Sequence, residues 1–440
     1  MALLTDQYEV AMAASYHRRE MNGAAVFELF VRHLPPNRDW LLAAGLGPTL
    51  RLIAELRFGE AELDYLRSLG FPEAFCEYLG GFRFSGDVDA MPEGTICFAG
   101  EPLVRVTAPR IEAQLLETLL LNQLNFQTMV ATKAARVVLA AGAGLPDAGE
   151  RVIDFSPRRD HGIEAALKVA RSAAVAGCGG TSNLAAAMRY GLRPVGTMAH
   201  SYVMSFGSER EAFRAFLEDN PQRAVLLVDT YDTVEGVRNA IAASREAEVP
   251  LAGVRLDSGD LDALSREARR LLDEAGLNEA RIAASGDLEE GRIAELVAAE
   301  APIDLWGVGT ELGTSRDSPV VNGVYKLVAD QAPDGAWRGV AKRSQAKETV
   351  AGGKQVFRRY DDGEMCGDLI AAADEDREGE PLLVAAMRAG EIVDEESLET
   401  IRARATRQLG SLAADLRAGA AEAEPYPVEW SKSLLGAEQR

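Results

Sequence analysis

The sequence predicts an α/β protein built around a (β/α) barrel, whole or incomplete, on three observations. From residue 151 short apolar runs recur, at 151–155, 194–200, 223–230, 251–257, 281–285 and 303–310. Amphipathic stretches lie between them, at 161–177, 208–219, 233–246, 260–276 and 288–300. Buried apolar strands alternating with helices imply βαβ units and a parallel sheet. Six such units favour a barrel over an open doubly wound sheet. Third, polar residues gather where the runs end: Asp154, His200, Asp229, Asp257, Ser285-Gly286-Asp287 and Gly307-Val308-Gly309-Thr310. In a barrel these ends share one rim, where the chemistry sits.

The flanking regions read differently. Residues 1–20 form a helix entered at Thr5-Asp6, 25–31, 86–98 and 102–108 read as strands, and 40–80 is helical. From Ile111 to Ala141 the period is helical and strongly apolar, over more than one helix. This gives an N-terminal α/β region to residue 150, some of its elements packing with the C-terminal region, and a barrel over 151–330. From 331 follow a basic loop and a small, mainly helical C-terminal extension. The loop run, "AKRSQAKETVAGGKQVFRR" (341–359), is basic inside an acidic protein.

Composition sets the outer limits. Hydrophobic residues make up 47% and charged residues 26% of 440, enough for a sizeable core without disulfides. The net charge of −21 argues against a broad nucleic-acid surface. An anionic substrate therefore needs a locally basic pocket. Cys76, Cys97, Cys178 and Cys366 are scattered, which points to a reducing compartment rather than a zinc site or a disulfide framework. The first residues lack the pattern of a signal peptide, and no apolar run is long enough to span a membrane. A cytoplasmic protein is expected.

Each motif has a functional and a plain structural reading. "WGVGTELGTSRDSP" (306–319) follows an apolar strand. Its glycines let backbone approach a ligand and its N–H groups cradle a phosphate, or they are merely a turn. "ASGDL" (284–288) is a similar turn one unit earlier. In "GVRLDSGDL" (253–261) Arg255 and Asp257 are two apart on a strand and so face one side. They hold a ribose or metal-bound diphosphate, or form a rim ion pair before an Asp260 helix cap. Asp229 caps a helix or orients a neighbouring imidazole, and in the second case it makes His200 a better nucleophile. In "DFSPRRDHG" (154–162) Pro157 disfavours helix at Ser156, so Arg158 and Arg159 start the next helix, and at most one of them faces the site. His161 caps or packs nearby. His17 and His33 are structural or exposed.

Together "LTDQYEVAMAASY", "FELFVRHLPPNRDWLLAAGL", "DFSPRRDHG", "GGTSN", "GTMAHSYV", "VDTYDT", "RLDSGDL" and "GVGTELGTSRDSPVVNGVYKLV" resemble the nicotinate phosphoribosyltransferase family, in order and up to about residue 360. The resemblance implies a type II phosphoribosyltransferase fold, with an N-terminal α/β domain, an irregular barrel, and a homodimer with shared sites. It implies transfer of phosphoribosyl from phosphoribosyl diphosphate to nicotinate with Mg²⁺ and ATP, in pyridine-nucleotide salvage, by an enzyme of the carbon–nitrogen ligase class. His200 is then the residue ATP phosphorylates, and Asp229 the acid that holds it. Arg255 and Asp257 contact the ribosyl diphosphate. Gly286, Asp287, Gly307, Gly309 and Thr310 form the ribose and 5′-phosphate sites, with Arg316 and Lys326 adding positive charge. The basic run around Lys342 reaches a neighbouring protomer. Phe155 and the partner copy's Tyr8 wall the base, and Ser182 and Arg158 take its carboxylate. Ser156-Pro157 departs from the family's Gly and bulky residue.

Ser182 stands where nicotinamide phosphoribosyltransferases carry an Asp that accepts from the amide. A hydroxyl can donate to a carboxylate, and an Asp would repel one. Quinolinate enzymes are much shorter. A Schiff-base lyase finds no lysine at the ends of the runs from 151–155 to 303–310, though Lys326 follows a later run, and His200, Asp229 and Asp257 argue against a non-catalytic metabolite-binding relative.

Overall fold

The computed structural model describes residues 2–142, 148–222, 224–332, 334–342, 349–419 and 424–436. The chain forms two compact units, residues 133–319 and residues 1–132 with 320–440.

In the first unit six short strands are all parallel: Val152–Asp154, Gly180–Thr181, Val225–Leu227, Gly253–Leu256, Arg281–Ala284 and Leu305–Val308. The last strand lies between the first and the fifth, so the sheet curls back on itself as a barrel does. Its two open edges are Gly180–Thr181 and Val225–Leu227. The barrel is therefore incomplete, and the gap is where the sequence reading places a strand at 194–200. Pro194 has no N–H to give a ladder. It makes one isolated bridge to Thr181, residues 195–199 are irregular, and His200 already opens a helix, His200–Met204. The strand actually present, Gly180–Thr181, is too short and too polar to show as an apolar run.

The helices follow the amphipathic stretches: Ile163–Val175, Glu209–Asp219, Thr233–Ala247, Leu261–Glu274 and Glu290–Ala298. Four begin on side-chain caps, Ser208, Asp232, Asp260 and Glu289, each accepting from a first-turn N–H. The expected Asp260 cap is thus present, and Asp232 rather than Asp229 caps its helix. Arg158 and Arg159 do not begin a helix. They sit on a turn, and the helix starts only at Ile163. A long helix, Glu117–Gly142, brings in Lys133, only 1% exposed, whose Nζ lies 2.5 Å from Glu290 and 3.0 Å from Asp317. That buried cation ties the start of Glu290–Ala298 to the loop after Leu305–Val308.

The second unit holds an antiparallel seven-stranded sheet in the order 337–339, 323–331, 24–31, 102–109, 87–90, 384–388, 391–392. A four-stranded sheet, 380–381, 354–361, 364–372, 428–430, accompanies it and contains the fully buried pair Arg358–Asp368 at 2.6 Å. The expected early helices are Gln7–Arg18, Leu46–Ala54, Glu60–Ser68 and Glu73–Gly80, and 111–141 divides into Arg110–Gln114 and Glu117–Gly142. The last hundred residues differ from their reading. They are mostly strand to Ile392 and helical from Leu398 to Gly410, and they form one unit with the N-terminal residues. Strands such as 364–372 are half-buried, and their alternation is broken by Gly and Asp, which hides them in sequence. Parts of the basic run 341–359 and of the tail 419–430 lie outside the described residues.

Gly236, in the Thr233–Ala247 helix, shows how closely helix and sheet approach. A Cβ there would run into the Val228 carbonyl. Helix propensity alone would make Gly236→Ala stabilising by about 1 kcal/mol. Overpacking reverses the sign, and a loss of about 1–3 kcal/mol is expected. Thermal melts decide between the two, and a higher melting temperature for the variant would refute the close approach.

Candidate active site

Each strand of the incomplete barrel ends in a turn that places one or two polar groups at the carboxyl end. The Gly253–Leu256 strand carries Arg255 and then Asp257 on one side. Arg255 donates from Nη2 to Asp257 Oδ1 at 2.7 Å, from Nε to Ser285 Oγ at 2.7 Å and from Nη1 to Thr197 Oγ1 at 3.3 Å. Ser285 in turn donates to Asp257 Oδ1. Burial pushes the Asp257 carboxyl up, but the Ser285 hydroxyl, Arg255 and His200 outweigh it and hold it below the usual range.

Asp229 links this strand end to the next. Its Oδ2 accepts from Asp257 N at 3.0 Å and Ser258 Oγ at 2.7 Å. Its side chain is 1% exposed, and its other oxygen, Oδ1, is buried without a hydrogen-bond partner. That orphan lies 4.0 Å from His200 Nε2, and Asp257 Oδ2 lies 3.9 Å from the same nitrogen. His200 is 40% exposed, so the ring is open to solvent on one side. Its Nδ1 is 3.1 Å from Thr230 Oγ1. The hydroxyl, not Asp229, makes the hydrogen bond to the imidazole.

Phe155 closes the site beside Arg255, whose guanidinium carbon is 5.2 Å from the ring centroid. A Cβ on Gly307 would strike that ring, and one on Gly286 (φ +90°) would strike the Asp257 carbonyl. These two glycines are needed for close approach and, at Gly286, for a left-handed backbone. Asp287 follows at φ 47° and is exposed. Gly309 and Thr310 open the short helix Thr310–Thr314.

The end of the Val152–Asp154 strand is organised by Asp154. It is buried, accepts from Ser156 N (2.9 Å) and Oγ (2.6 Å) through Oδ1 and from Thr181 Oγ1 (2.7 Å) through Oδ2. Burial pushes its carboxyl up, and those donors pull it back part of the way. Ser182 comes next, its N–H on the Asp154 carbonyl at 2.9 Å. Asp160 accepts from Ser156 Oγ at 3.1 Å, while its Oδ1 is buried with no partner. Burial and the neighbouring Asp154 charge push it up to about 6.

The chain matches the model of the nicotinate phosphoribosyltransferase N-terminal domain over residues 3–125 and that of the nicotinate phosphoribosyltransferase family over 151–357. It belongs to the nicotinate phosphoribosyltransferase family. It is 47% identical over 440 residues to nicotinate phosphoribosyltransferase pncB2 of Mycobacterium tuberculosis, covering 99% of this chain and 92% of that one. With nicotinate phosphoribosyltransferase of Bacillus subtilis it shares 42% over 384 residues, 85% of this chain and 77% of that one. The crystal structure of human nicotinic acid phosphoribosyltransferase superposes with a TM-score of 0.84 at 28% identity, covering 99% of each chain.

Among the residues the family resemblance singles out, His200, Asp229, Arg255, Asp257, Gly286, Phe155 and Gly307 come together. Ser182 stands beside Asp154. Arg158 is exposed on its turn. Arg316 is 69% exposed and paired with Glu311 at 3.1 Å, so it adds no free charge. Lys326 and Tyr8 belong to the other compact unit. Lys326 lies on the Gly323–Gln331 strand, 3.6 Å from Glu117, and Tyr8 is half-exposed on the Gln7–Arg18 helix. Among the described residues no three His, Cys, Asp or Glu side chains are grouped to hold a metal ion. No helix among them is long and apolar enough to cross a membrane. Thr230, Thr197 and Ser258 were not legible as site residues. The position of Thr230 between Asp229 and Asp232 was the signal available.

Asp160 gives a pH test. Its folded carboxyl binds a proton more tightly than an unfolded one, so the stability it contributes is complete below about 4 and is lost as pH rises to about 6. Asp160→Asn should therefore gain on the parent by up to about 2 kcal/mol between those limits. Urea titrations at both ends measure it. An offset that does not change with pH would contradict the burial of Asp160.

Proposed function

We propose that this chain transfers the phosphoribosyl group of phosphoribosyl diphosphate to nicotinate, and that ATP drives the transfer through a phosphorylated His200. The observation that carries this reading is the His200 ring at an open rim, with two carboxylates beside Nε2 and one buried carboxylate oxygen left without a donor. An imidazole so placed has negative charge beside it to balance the charge of a phosphorylated ring.

A His200 nitrogen attacks the γ-phosphorus of ATP, an N–P bond forms, the bond to the β-phosphate oxygen breaks, and ADP leaves. Nicotinate nitrogen then attacks C1′ of phosphoribosyl diphosphate, and diphosphate leaves with the C1′–O bond electrons. Water finally cleaves the N–P bond and restores His200. Mg²⁺ travels with the phosphates of the substrates. Positive charge developing at C1′ finds the Asp257 carboxylate, which Arg255 and Ser285 hold in place.

In this reading the pyridine ring lies on Phe155, and Ser182 and Arg158 meet its carboxylate. The Ser182 hydroxyl and the exposed Arg158 guanidinium supply donors, whereas Asp154 is already occupied by Ser156 and Thr181. The product, nicotinate mononucleotide, feeds pyridine-nucleotide salvage. A homodimer with shared sites, in the cytoplasm, completes the proposal. The half-exposed Tyr8 is the group one copy would lend to the other.

Mononucleotide formation from nicotinate and from nicotinamide, each with and without ATP, is the direct assay. Product from nicotinate alone, raised by ATP, is expected. Equal use of both bases would overturn the role of Ser182, and Ser182→Asp should shift preference toward the amide. His200→Ala should abolish ATP hydrolysis and leave a slow ATP-independent transfer. Mixing Tyr8→Ala and His200→Ala chains should regain about a quarter of the parental ATP-driven activity if sites are shared. No regain would refute sharing.

A further inference from the structure

We infer that Thr230 is a positioning residue that holds the His200 ring and fixes its neutral tautomer, with the proton on Nε2. The inference rests on the reading of His200 as the phosphoryl acceptor. A neutral imidazole has one N–H and one lone pair, and its neighbours decide which nitrogen holds which. Beside Nε2 stand Asp229 Oδ1 at 4.0 Å and Asp257 Oδ2 at 3.9 Å. Ionised carboxylates can only accept. Asp229 Oδ1 is buried and has no donor, a state that is costly unless a proton is presented to it. An N–H on Nε2 turns its positive end toward both carboxylates, an electrostatic match at distances beyond hydrogen-bond reach. A lone pair there would face two negative groups.

With the proton on Nε2, Nδ1 carries the lone pair, and the hydroxyl at 3.1 Å must donate to it. Thr230 Oγ can do so because a hydroxyl is both donor and acceptor. Asp229 and Thr230 are adjacent in the turn after the Val225–Leu227 strand. One turn therefore addresses both nitrogens, the carboxylate facing Nε2 and the hydroxyl bonded to Nδ1. The lone pair is kept on the side away from the carboxylates. When Nδ1 forms its bond to phosphorus and ADP leaves, the proton stays on Nε2 beside Asp229, and the released hydroxyl can donate to a phosphoryl oxygen.

The test reads the tautomer directly. The full chain has only His17, His33, His161 and His200, so ¹⁵N-histidine labelling gives four imidazoles, and His200→Asn assigns one of them. Spectra at about pH 8.5 report the neutral rings. The parent should show His200 protonated on Nε2. Thr230→Val should give a mixture of tautomers, and Thr230→Ser should restore the parental pattern. In ATPase assays Thr230→Val should lower kcat about tenfold or more, with KM for ATP changed less than about threefold, and serine should recover most of the loss. A parental His200 protonated on Nδ1 overturns the inference, as does a valine variant unchanged in both tautomer and kcat. The parental spectrum needs no variant beyond the assignment and survives a Thr230→Val chain that fails to fold. A parent that hydrolyses no ATP yet shows the Nε2 proton would sink the phosphohistidine reading and leave the role of Thr230 in holding the ring intact.

Discussion

Two carboxylates within 4.0 Å of one imidazole nitrogen are the constraint on which the site is built. Like charges so close are unfavourable unless donors and cations are arranged around them. Here Asp229 takes the Asp257 N–H and the Ser258 hydroxyl, and Asp257 takes Arg255 and Ser285. Each acid spends one oxygen on a neighbouring strand and turns the other toward His200. The acids therefore do two things at once. They bind the carboxyl ends of the Val225–Leu227, Gly253–Leu256 and Arg281–Ala284 strands to one another, and they set the electrostatics of the ring.

That arrangement depends on backbones that approach closely. Gly286 lies against the Asp257 carbonyl and Gly307 against the Phe155 ring, positions where any Cβ would collide. The barrel is left open between Gly180–Thr181 and Val225–Leu227, and the chain between those edges carries the Thr197–His200 segment in place of a regular strand. An irregular connection can aim a side chain in a way that a ladder-bound strand cannot. His200 owes its place at the rim to that gap, and Thr197 in the same segment receives the Arg255 guanidinium.

Much of this was legible in the residues. The alternation of apolar runs and amphipathic stretches carries the parallel sheet, because buried strands must be apolar and their covering helices one-sided. Asp257 and Arg255 were readable as a pair from their spacing, and Asp260 as a cap from its place before an amphipathic stretch. The missing strand was not readable, because Gly180–Thr181 has no apolar signature and "PVGTMAH" has a misleading one. Arg158 and Arg159 looked like helix starters, but the turn closed by Ser156 and Asp160 delays the helix to Ile163. Thr230 could not be singled out, since a hydroxyl bond to an imidazole depends on the angle at which two distant segments meet. The partition of the chain was hidden for a similar reason: residues 320–440 join residues 1–132 through strand pairings between positions some three hundred residues apart, such as Val26 with Ala329.

In the proposed reaction His200 is a covalent phosphoryl carrier rather than a passive base. Brief exposure of the full chain to ATP and Mg²⁺, followed by peptide mass analysis under alkaline conditions that preserve phosphohistidine, tests it most directly. The expected result is one phosphoryl group on the peptide containing His200, discharged when nicotinate and phosphoribosyl diphosphate are added. An unmodified His200, or a phosphoryl group that persists through turnover, would contradict it.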